Sequence, residues 1–335
     1  MKTLSIYLIL ESFFLSCKKI NAMKEYVSLD EKKDAFNECC IINTEEELTS
    51  KIEELLSLQR NTKLHIVFRG VNEAKYKMYN SFQRLWITRD LSTIGMLPIN
   101  KIQSMIDYCY NSVLPSYLKR LGISCNDWYI LAFLQHYGAV SPFLDFSKNL
   151  YVALFFACDN VVYHDSNNEI DNYISIYFYK NVDVINVFSN SVYKIAKIKA
   201  QNINHKNKKA KRRFWKGYMS FRDIMTEQNN WVIVPAYTNA STITNRNNKK
   251  ITSYAISNLN STSQDGEFVC NMNMDLPLEL LMVKDDKKFI NCINIHKGLI
   301  PYIIKKFLEA SLDTARMKYY VKEQDIAKQA EKEAF

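Results

Sequence analysis

The spacing of apolar residues predicts helices and strands in alternation from residue 44 onward. In TEEELTSKIEELLSL (44–58), leucine and isoleucine recur at helical spacing behind a capping box formed by Thr44 and Glu47. The next segment, KLHIVFRG (63–70), alternates between two faces as a strand does. A helix followed by a strand is therefore the first predicted unit of the fold.

The same patterns continue along the rest of the chain. They predict helices at 100–120, 128–137 and 301–312, strands at 173–180, 229–237 and 266–273, and a strand followed by a turn at 289–299. NLYVALFFACDN (149–160) is apolar on nearly every side, which is typical of a helix that is buried all round. Gly138 suits the left-handed position that follows a helix.

The order of these elements predicts a single α+β domain. No internal repeat and no convincing linker divides the chain. We therefore expect helices packed on a mixed, largely antiparallel sheet over residues 44–330, behind an N-terminal extension at 1–43.

Composition supports a folded chain and narrows its class. The 335 residues are 47% hydrophobic and 13% aromatic, far from the composition of disordered chains. No Walker loop, G-x-G-x-x-G, H-E-x-x-H or G-x-S-x-G is present, which disfavours familiar kinases, dehydrogenases, zinc peptidases and hydrolases. The eight cysteines contain no C-x-x-C pair, so we expect no metal and a reducing, cytoplasmic compartment.

The first residues leave a second location open. MKTLSIYLILESFFLSC (1–17) has a lysine, an apolar stretch and a small residue before Cys17, as a lipoprotein signal does. Glu11 interrupts the apolar stretch, which is shorter than the ~20 residues that span a bilayer. Residues 1–22 are thus either an export signal, which would anchor the protein at a membrane, or an amphipathic extension.

One segment carries nearly all of the net positive charge. Ten basic residues and no acidic residue lie between Lys194 and Lys216, and the whole chain has a net charge of +9. The segment could contact nucleic-acid phosphates, or it could be a solvated insertion. Its densest part consists of Lys208, Lys209, Lys211, Arg212 and Arg213.

Two motifs give the sequence a family resemblance. HIVFRGV (65–71) precedes LQHYGAVSPFLDFSKNLYVALFFAC (134–158), with Ser81 and Arg84 between them. This order resembles the FRG family, whose pattern runs FRG, LQHYG, a PTxLLD[WF]T-like stretch and VALFFA. The later SQDGEF (263–268) looks like the family's Gln-x-Gly-x-Phe element.

The resemblance covers about residues 44–330, and the sequence departs from the family pattern at two places. Phe146 and Ser147 stand where Trp and Thr are common, which is a conservative change. Val140, Ser141 and Phe143 stand where the family has Pro-Thr-Arg or similar residues. Family membership alone does not define a biochemical activity.

A weaker similarity concerns ADP-ribosyltransferases, whose motif order is an arginine, a Ser-Thr-Ser strand and a late glutamate. The matching positions here are Arg69, Asp145 with Ser147, and Gln264 with Glu267. The resemblance implies an ADP-ribosyltransferase-like core that uses NAD. Arg69 would hold the diphosphate or the ribose, and Ser147 would orient the nicotinamide side. Glu267 would bond the ribose and stabilise the positive charge that develops on it.

Each of these residues also has a structural interpretation. Arg69 could clamp a carboxylate such as Asp145, and His136 could bond the last carbonyls of its helix instead of acting as a general base. Asp145 lies between apolar residues, where an unpaired carboxylate is costly, so we expect it to be paired. Ser147 could cap the following helix, and Glu267 could be an exposed strand residue.

Two functional hypotheses follow. The first is a nucleotide-binding domain that uses NAD, with or without ADP-ribosyl transfer or NAD cleavage. Its predicted catalytic residues are His136, Asp145 and Glu267, and its predicted cofactor-binding residues are Arg69, Gln135, Ser147 and Gln264. The second is a non-catalytic module that recognises a ligand or peptide and contacts nucleic acid through the basic segment. Both predict that Arg69, His136, Asp145 and Glu267 converge in one cleft.

The second hypothesis predicts nucleic-acid binding that weakens steeply with salt. Replacing the five basic residues of the densest part by glutamine should remove that binding, because their contacts with phosphates would be lost. Each phosphate contact releases counterions, and this release makes the binding dependent on salt. Filter binding between about 50 and about 200 mM salt measures the effect. Binding that is insensitive to salt would contradict the hypothesis.

Overall fold

The computed structural model describes residues 25–60, 66–120, 125–180, 221–225, 231–235, 241–244, 250–253 and 265–308. Its helices are α1 (Leu29–Lys33), α2 (Glu45–Arg60), α3 (Ser81–Thr88), α4 (Pro98–Tyr110), α5 (Leu114–Arg120), α6 (Asp127–His136), α7 (Leu150–Cys158), α8 (Phe221–Ile224), α9 (Leu278–Leu281) and α10 (Ile300–Phe307). Short 3-10 helices cover Leu91–Ile94, Glu169–Asn172 and Lys297–Leu299.

The strands alternate with these helices along the chain. They are β1 (Cys39–Ile42), β2 (Ile66–Val71), β3 (Phe143–Ser147), β4 (Tyr173–Lys180), β5 (Trp231–Pro235), β6 (Ser241–Thr244), β7 (Lys250–Ser253), β8 (Gly266–Asn271), β9 (Val283–Lys284), β10 (Lys287–Lys288) and β11 (Asn291–His296).

One seven-stranded sheet organises the fold. Its strand order is β1-β11-β4-β2-β3-β8-β5, and β6–β7 and β9–β10 form two separate antiparallel pairs. Neighbouring strands of the large sheet run antiparallel, except that β1 is parallel to β11. The predicted α+β class, with a mixed and mostly antiparallel sheet, is confirmed.

Helices cover one face of the sheet in two separate groups. The first helical group, α2, α7 and α10, packs on β2, β4 and β11. The second helical group, α3 to α6, packs on β3 and β8. On the opposite face, α1 and α9 cover a cluster that includes Val67, Phe146 and Tyr177. The boundary between the two helical groups falls between β2 and β3.

Most predicted elements are present, with shifts at their ends. The capping box of Thr44 and Glu47 forms, and Gly138 adopts a left-handed φ of +79°, as predicted. The helix predicted at 100–120 is instead two helices, α4 and α5. Asn126 caps α6 by accepting a hydrogen bond from the backbone N–H of Tyr129 at 2.9 Å.

A close contact between β2 and α7 fixes the centre of the molecule. A Cβ atom on Gly70 would lie 1.8 Å from the carbonyl oxygen of Ala153 and 2.7 Å from the backbone nitrogen of Ala157. Only glycine therefore fits at this position of the strand, and only small residues fit opposite it on the helix. The glycine of the FRG motif and the two alanines of VALFFA are thus two sides of one contact.

Replacing Gly70 by alanine should destabilise the protein by about 3 kcal/mol or more, since backbone would have to move to admit the methyl group. Urea unfolding measures the change in the free energy of unfolding. Gly95→Ala is the matched control, because Gly95 has a φ of +66° but open space around its Cα. The control should lose only about 1 to 2 kcal/mol, the cost of a left-handed alanine. Equal unfolding midpoints for Gly70→Ala and wild type would contradict the contact.

A candidate ligand-binding cleft between β2 and β3

A cavity of about 840 Å³ opens where β2 and β3 part. These strands share a single residue pair, Phe68 opposite Ser147, and their ladder stops there. The cavity is lined by the end of β2 and the segment after it, by β3, and by residues of α3, α6 and α7. The polar side chains around it include Arg69, Asn72, Tyr76, Lys77, Arg84, Gln135, His136, Asp145 and Asp159.

Arg69 bridges the gap between the two strands. Its Nη1 donates a hydrogen bond to the backbone carbonyl oxygen of Asp145 at 2.7 Å, where a strand neighbour would otherwise bond. Its Nε is buried and has no hydrogen-bond partner among the described residues. Burial lowers the pKa of Arg69, and the charge of Asp145 opposes that shift. The expected clamp therefore exists, but it holds the Asp145 backbone instead of its carboxylate.

Asp145 lies on the floor of the cleft, exposed to the cavity but surrounded by protein. Its Oδ1 accepts a hydrogen bond from Gln135 Nε2 at 2.5 Å, so the expectation that it is paired is met by an amide. Burial raises the pKa of Asp145, while the charge of Arg69 and the bond from Gln135 oppose the rise. The other amide atom, Gln135 Oε1, is buried without a partner among the described residues.

Arg84 is a second cleft cation that the sequence indicated only as part of a motif. It follows the start of α3, where Asn80 and Gln83 form a capping box. Its Nη1 donates to the carbonyl oxygen of Tyr79 at 2.5 Å. Burial lowers the pKa of Arg84, and the positive charge of Arg69 lowers it further. The Asn-x-x-Gln capping signal could have placed Arg84 in the first turn of a helix.

His136 and Ser147 also line the cleft, in different ways. His136 is exposed at the rim, and its ring lies 4.9 Å from that of Tyr137 in an edge-to-face arrangement. The Ser147 side chain is buried, and its Oγ accepts from the backbone N–H of Asn149 at 2.9 Å. Asn149 itself caps α7. Ser147 thus holds the turn into the helix, while His136 is open to solvent.

Glu267 is not among the residues that line the cleft. In the β3–β8 register, Phe146 is opposite Glu267 and Asp145 is opposite Phe268, so the two carboxylates lie on opposite faces of the sheet. Glu267 is 2% exposed, and it accepts a hydrogen bond from Tyr179 Oη at 2.8 Å. It is therefore neither an exposed strand residue nor a neighbour of Asp145. The predicted convergence holds for Arg69, His136 and Asp145 alone.

Several predicted residues lie outside the described part of the chain. They are Gln264 and the basic residues Lys208, Lys209, Lys211, Arg212 and Arg213. Within the described part, no group of three or more His, Cys, Asp or Glu side chains is arranged to hold a metal ion. No helix among these residues is long and apolar enough to cross a membrane.

Together, the sheet and the cleft define an α+β protein with a polar pocket at the centre of its sheet. Residues 64–166 match the model of the FRG domain family, which confirms over this segment the resemblance predicted from the motifs. The matched region contains Arg69, Arg84, Gln135 and Asp145, and the wider extent of 44–330 remains a prediction. Comparison with curated proteins gave no significant match, and neither did comparison with solved structures.

The raised pKa of Asp145 predicts a measurable pH effect. A carboxyl group with a raised pKa in the folded state binds its proton more tightly there than in the unfolded chain. Its contribution to stability is therefore largest in acid and falls as pH rises from about 4 through the folded-state pKa. Asp145→Asn lacks this titration, so its free energy of unfolding should rise relative to wild type over that range. Urea unfolding at a series of pH values tests this, and a constant or opposite difference would contradict the assignment.

Proposed function

We propose that the cleft binds a nucleotide that carries a diphosphate, such as NAD. The observation that carries the proposal is the pair of cleft arginines. Arg69 and Arg84 each use one Nη1 to bond a backbone carbonyl, and neither forms an ion pair with a described carboxylate. The positive charges of Arg69 and Arg84 repel each other, and an anion bound between the two side chains would offset that repulsion.

The remaining lining suits the uncharged parts of such a ligand. Asp145 and Gln135 supply acceptors and an amide for ribose hydroxyl groups. Tyr76 and Phe156 line the same cavity and offer ring surface for a base. A volume of about 840 Å³ lies within the range of about 300 to 1,000 Å³ that is usual for small-molecule sites.

NAD cleavage or ADP-ribosyl transfer would give Asp145 the carboxylate role first assigned to Glu267. The bond between ribose and nicotinamide would break, nicotinamide would leave with the electron pair, and the Asp145 carboxylate would stabilise the ribosyl cation. Water or an acceptor nucleophile would then add to that cation. His136 at the rim would take the proton of the incoming nucleophile.

A non-catalytic recognition module is the second candidate. The position of Glu267 favours it, because the late glutamate on which the resemblance to ADP-ribosyltransferases depends is buried against Tyr179. In that case the cleft binds the same nucleotide and leaves it intact. Binding and chemistry therefore need separate tests.

Calorimetric titration with NAD and with ADP-ribose tests binding. Arg84→Gln should weaken both about tenfold or more, since a hydrogen bond to a charged group contributes about 1.5 to 3 kcal/mol. Glu267→Gln is the matched control, because it keeps an acceptor for Tyr179 and lies outside the cleft; it should bind like wild type. Failure of the wild-type protein to bind either ligand would contradict the proposal, as would unchanged affinity in Arg84→Gln.

The chemical step is tested by nicotinamide release from labelled NAD, with and without cell extract as a source of acceptor. If the cleft is catalytic, Asp145→Asn should stop release while NAD still binds within a few-fold of wild type. Release that persists in Asp145→Asn but stops in Glu267→Gln would return the catalytic role to Glu267. Binding without release by the wild-type protein would favour the recognition module.

A further inference from the structure

Two cysteine side chains lie next to each other on the face of the sheet that α1 and α9 cover, and neither is among the residues that line the cleft. In the parallel β1–β11 pair, Cys39 is directly opposite Cys292, and both side chains join the cluster on the face covered by α1 and α9. Both sulfur atoms touch one amide: Asn294 Nδ2 lies 3.3 Å from Cys39 Sγ, and Asn294 Oδ1 lies 3.4 Å from Cys292 Sγ. Neighbouring strands are about 4.8 Å apart, within the range of about 4.4 to 6.8 Å that separates the Cα atoms of a disulfide.

A buried lysine stands beside this pair. Lys32 is fully buried, and its Nζ donates to Ala74 O at 2.7 Å, Ser175 Oγ at 2.6 Å and Asn294 Oδ1 at 2.8 Å. All three acceptors are neutral, and no described carboxylate forms an ion pair with this ammonium. Burial lowers the pKa of Lys32, and negative charge at Cys292, Cys39 or Glu279 opposes that shift, so a thiolate at Cys39 would help to keep the ammonium charged.

The two thiols differ in their tendency to ionise. The neighbouring Cys292 thiol, and then the charge of Lys32, lower the pKa of Cys39 to about 7, although burial acts in the opposite direction. Burial raises the pKa of Cys292 well above its usual value. Cys39 is also half-buried, so a small reagent can reach it, whereas Cys292 is 1% exposed. The pair therefore combines an accessible nucleophile with a protected thiol.

We propose that Cys39 and Cys292 form an oxidisable pair, in which a hydroperoxide oxidises Cys39 and Cys292 then closes a disulfide. The Cys39 thiolate attacks one peroxide oxygen, the O–O bond breaks, and the leaving oxygen takes a proton to become water or an alcohol. The Cys292 sulfur attacks the resulting sulfenic acid, loses its proton, and displaces hydroxide, which leaves as water. Two thiols thus lose two electrons and two protons to one hydroperoxide. This proposal is independent of the nucleotide proposal.

The chain contains a matched control pair. Cys109 and Cys125 lie near each other in the cluster of the second helical group. Burial raises the pKa of both, and no cation is among the groups that act on them. If proximity of thiols were sufficient, the two pairs would oxidise alike.

The test treats the full chain with a small excess of hydrogen peroxide at neutral pH and maps disulfides by mass spectrometry without reduction. Linked peptides of Cys39 and Cys292 should form before any link between Cys109 and Cys125. In Cys292→Ser, Cys39 should instead accumulate as a sulfenic acid that dimedone captures. In Cys39→Ser, dimedone should not label Cys292.

A second measurement does not depend on how the variants fold. In the wild-type protein, iodoacetamide should alkylate Cys39 at least several-fold faster than Cys125, because the thiolate is the reactive form. The proposal is overturned if Cys39 and Cys125 are alkylated at equal rates. It is also overturned if peroxide leaves Cys39 and Cys292 reduced or links either of them to another cysteine instead.

Discussion

The contact between the backbone of Gly70 and the small residues Ala153 and Ala157 is the constraint on which the rest of this structure depends. It draws α7 against β2 more closely than any side chain on the strand would allow. The helix α7 begins shortly after β3, and the ladder between β2 and β3 ends at the single pair of Phe68 with Ser147. The cleft opens at that point, with Arg69 next to the glycine on one wall and Asp145 on the other. The FRG motif (68–70) thus contains both Gly70, which the packing requires, and Arg69, a candidate binding residue.

The ionisable side chains of the cleft lie where burial disfavours their charged forms. Burial lowers the pKa of Arg69 and Arg84 and raises that of Asp145, and one acceptor of the Gln135 amide has no partner within the described part of the chain. Groups perturbed in this way cluster at functional sites, where a ligand supplies the missing interactions. In contrast, Glu267 and Ser147 bond to neighbouring protein groups, and their contacts suit a structural role.

Periodicity, capping residues and motifs allowed much of this fold to be predicted from the sequence. The α+β class, the buried VALFFA helix and the left-handed Gly138 depend on local patterns, and they were predicted correctly. Which side chains line the cleft depends on strand register, and local sequence patterns do not specify that register. One step in the β3–β8 register separates Asp145 from Glu267 and sends their side chains to opposite faces. The pairing of Cys39 with Cys292, far apart in the chain, likewise required the assembled sheet.

A crystal structure grown with saturating ADP-ribose tests most directly whether this cleft is the proposed anion-binding nucleotide site. We expect the diphosphate within hydrogen-bonding distance of Arg69 and Arg84, with a ribose beside Asp145 and Gln135. ADP-ribose bound elsewhere on the protein, or an empty cleft at saturating ligand, would contradict it.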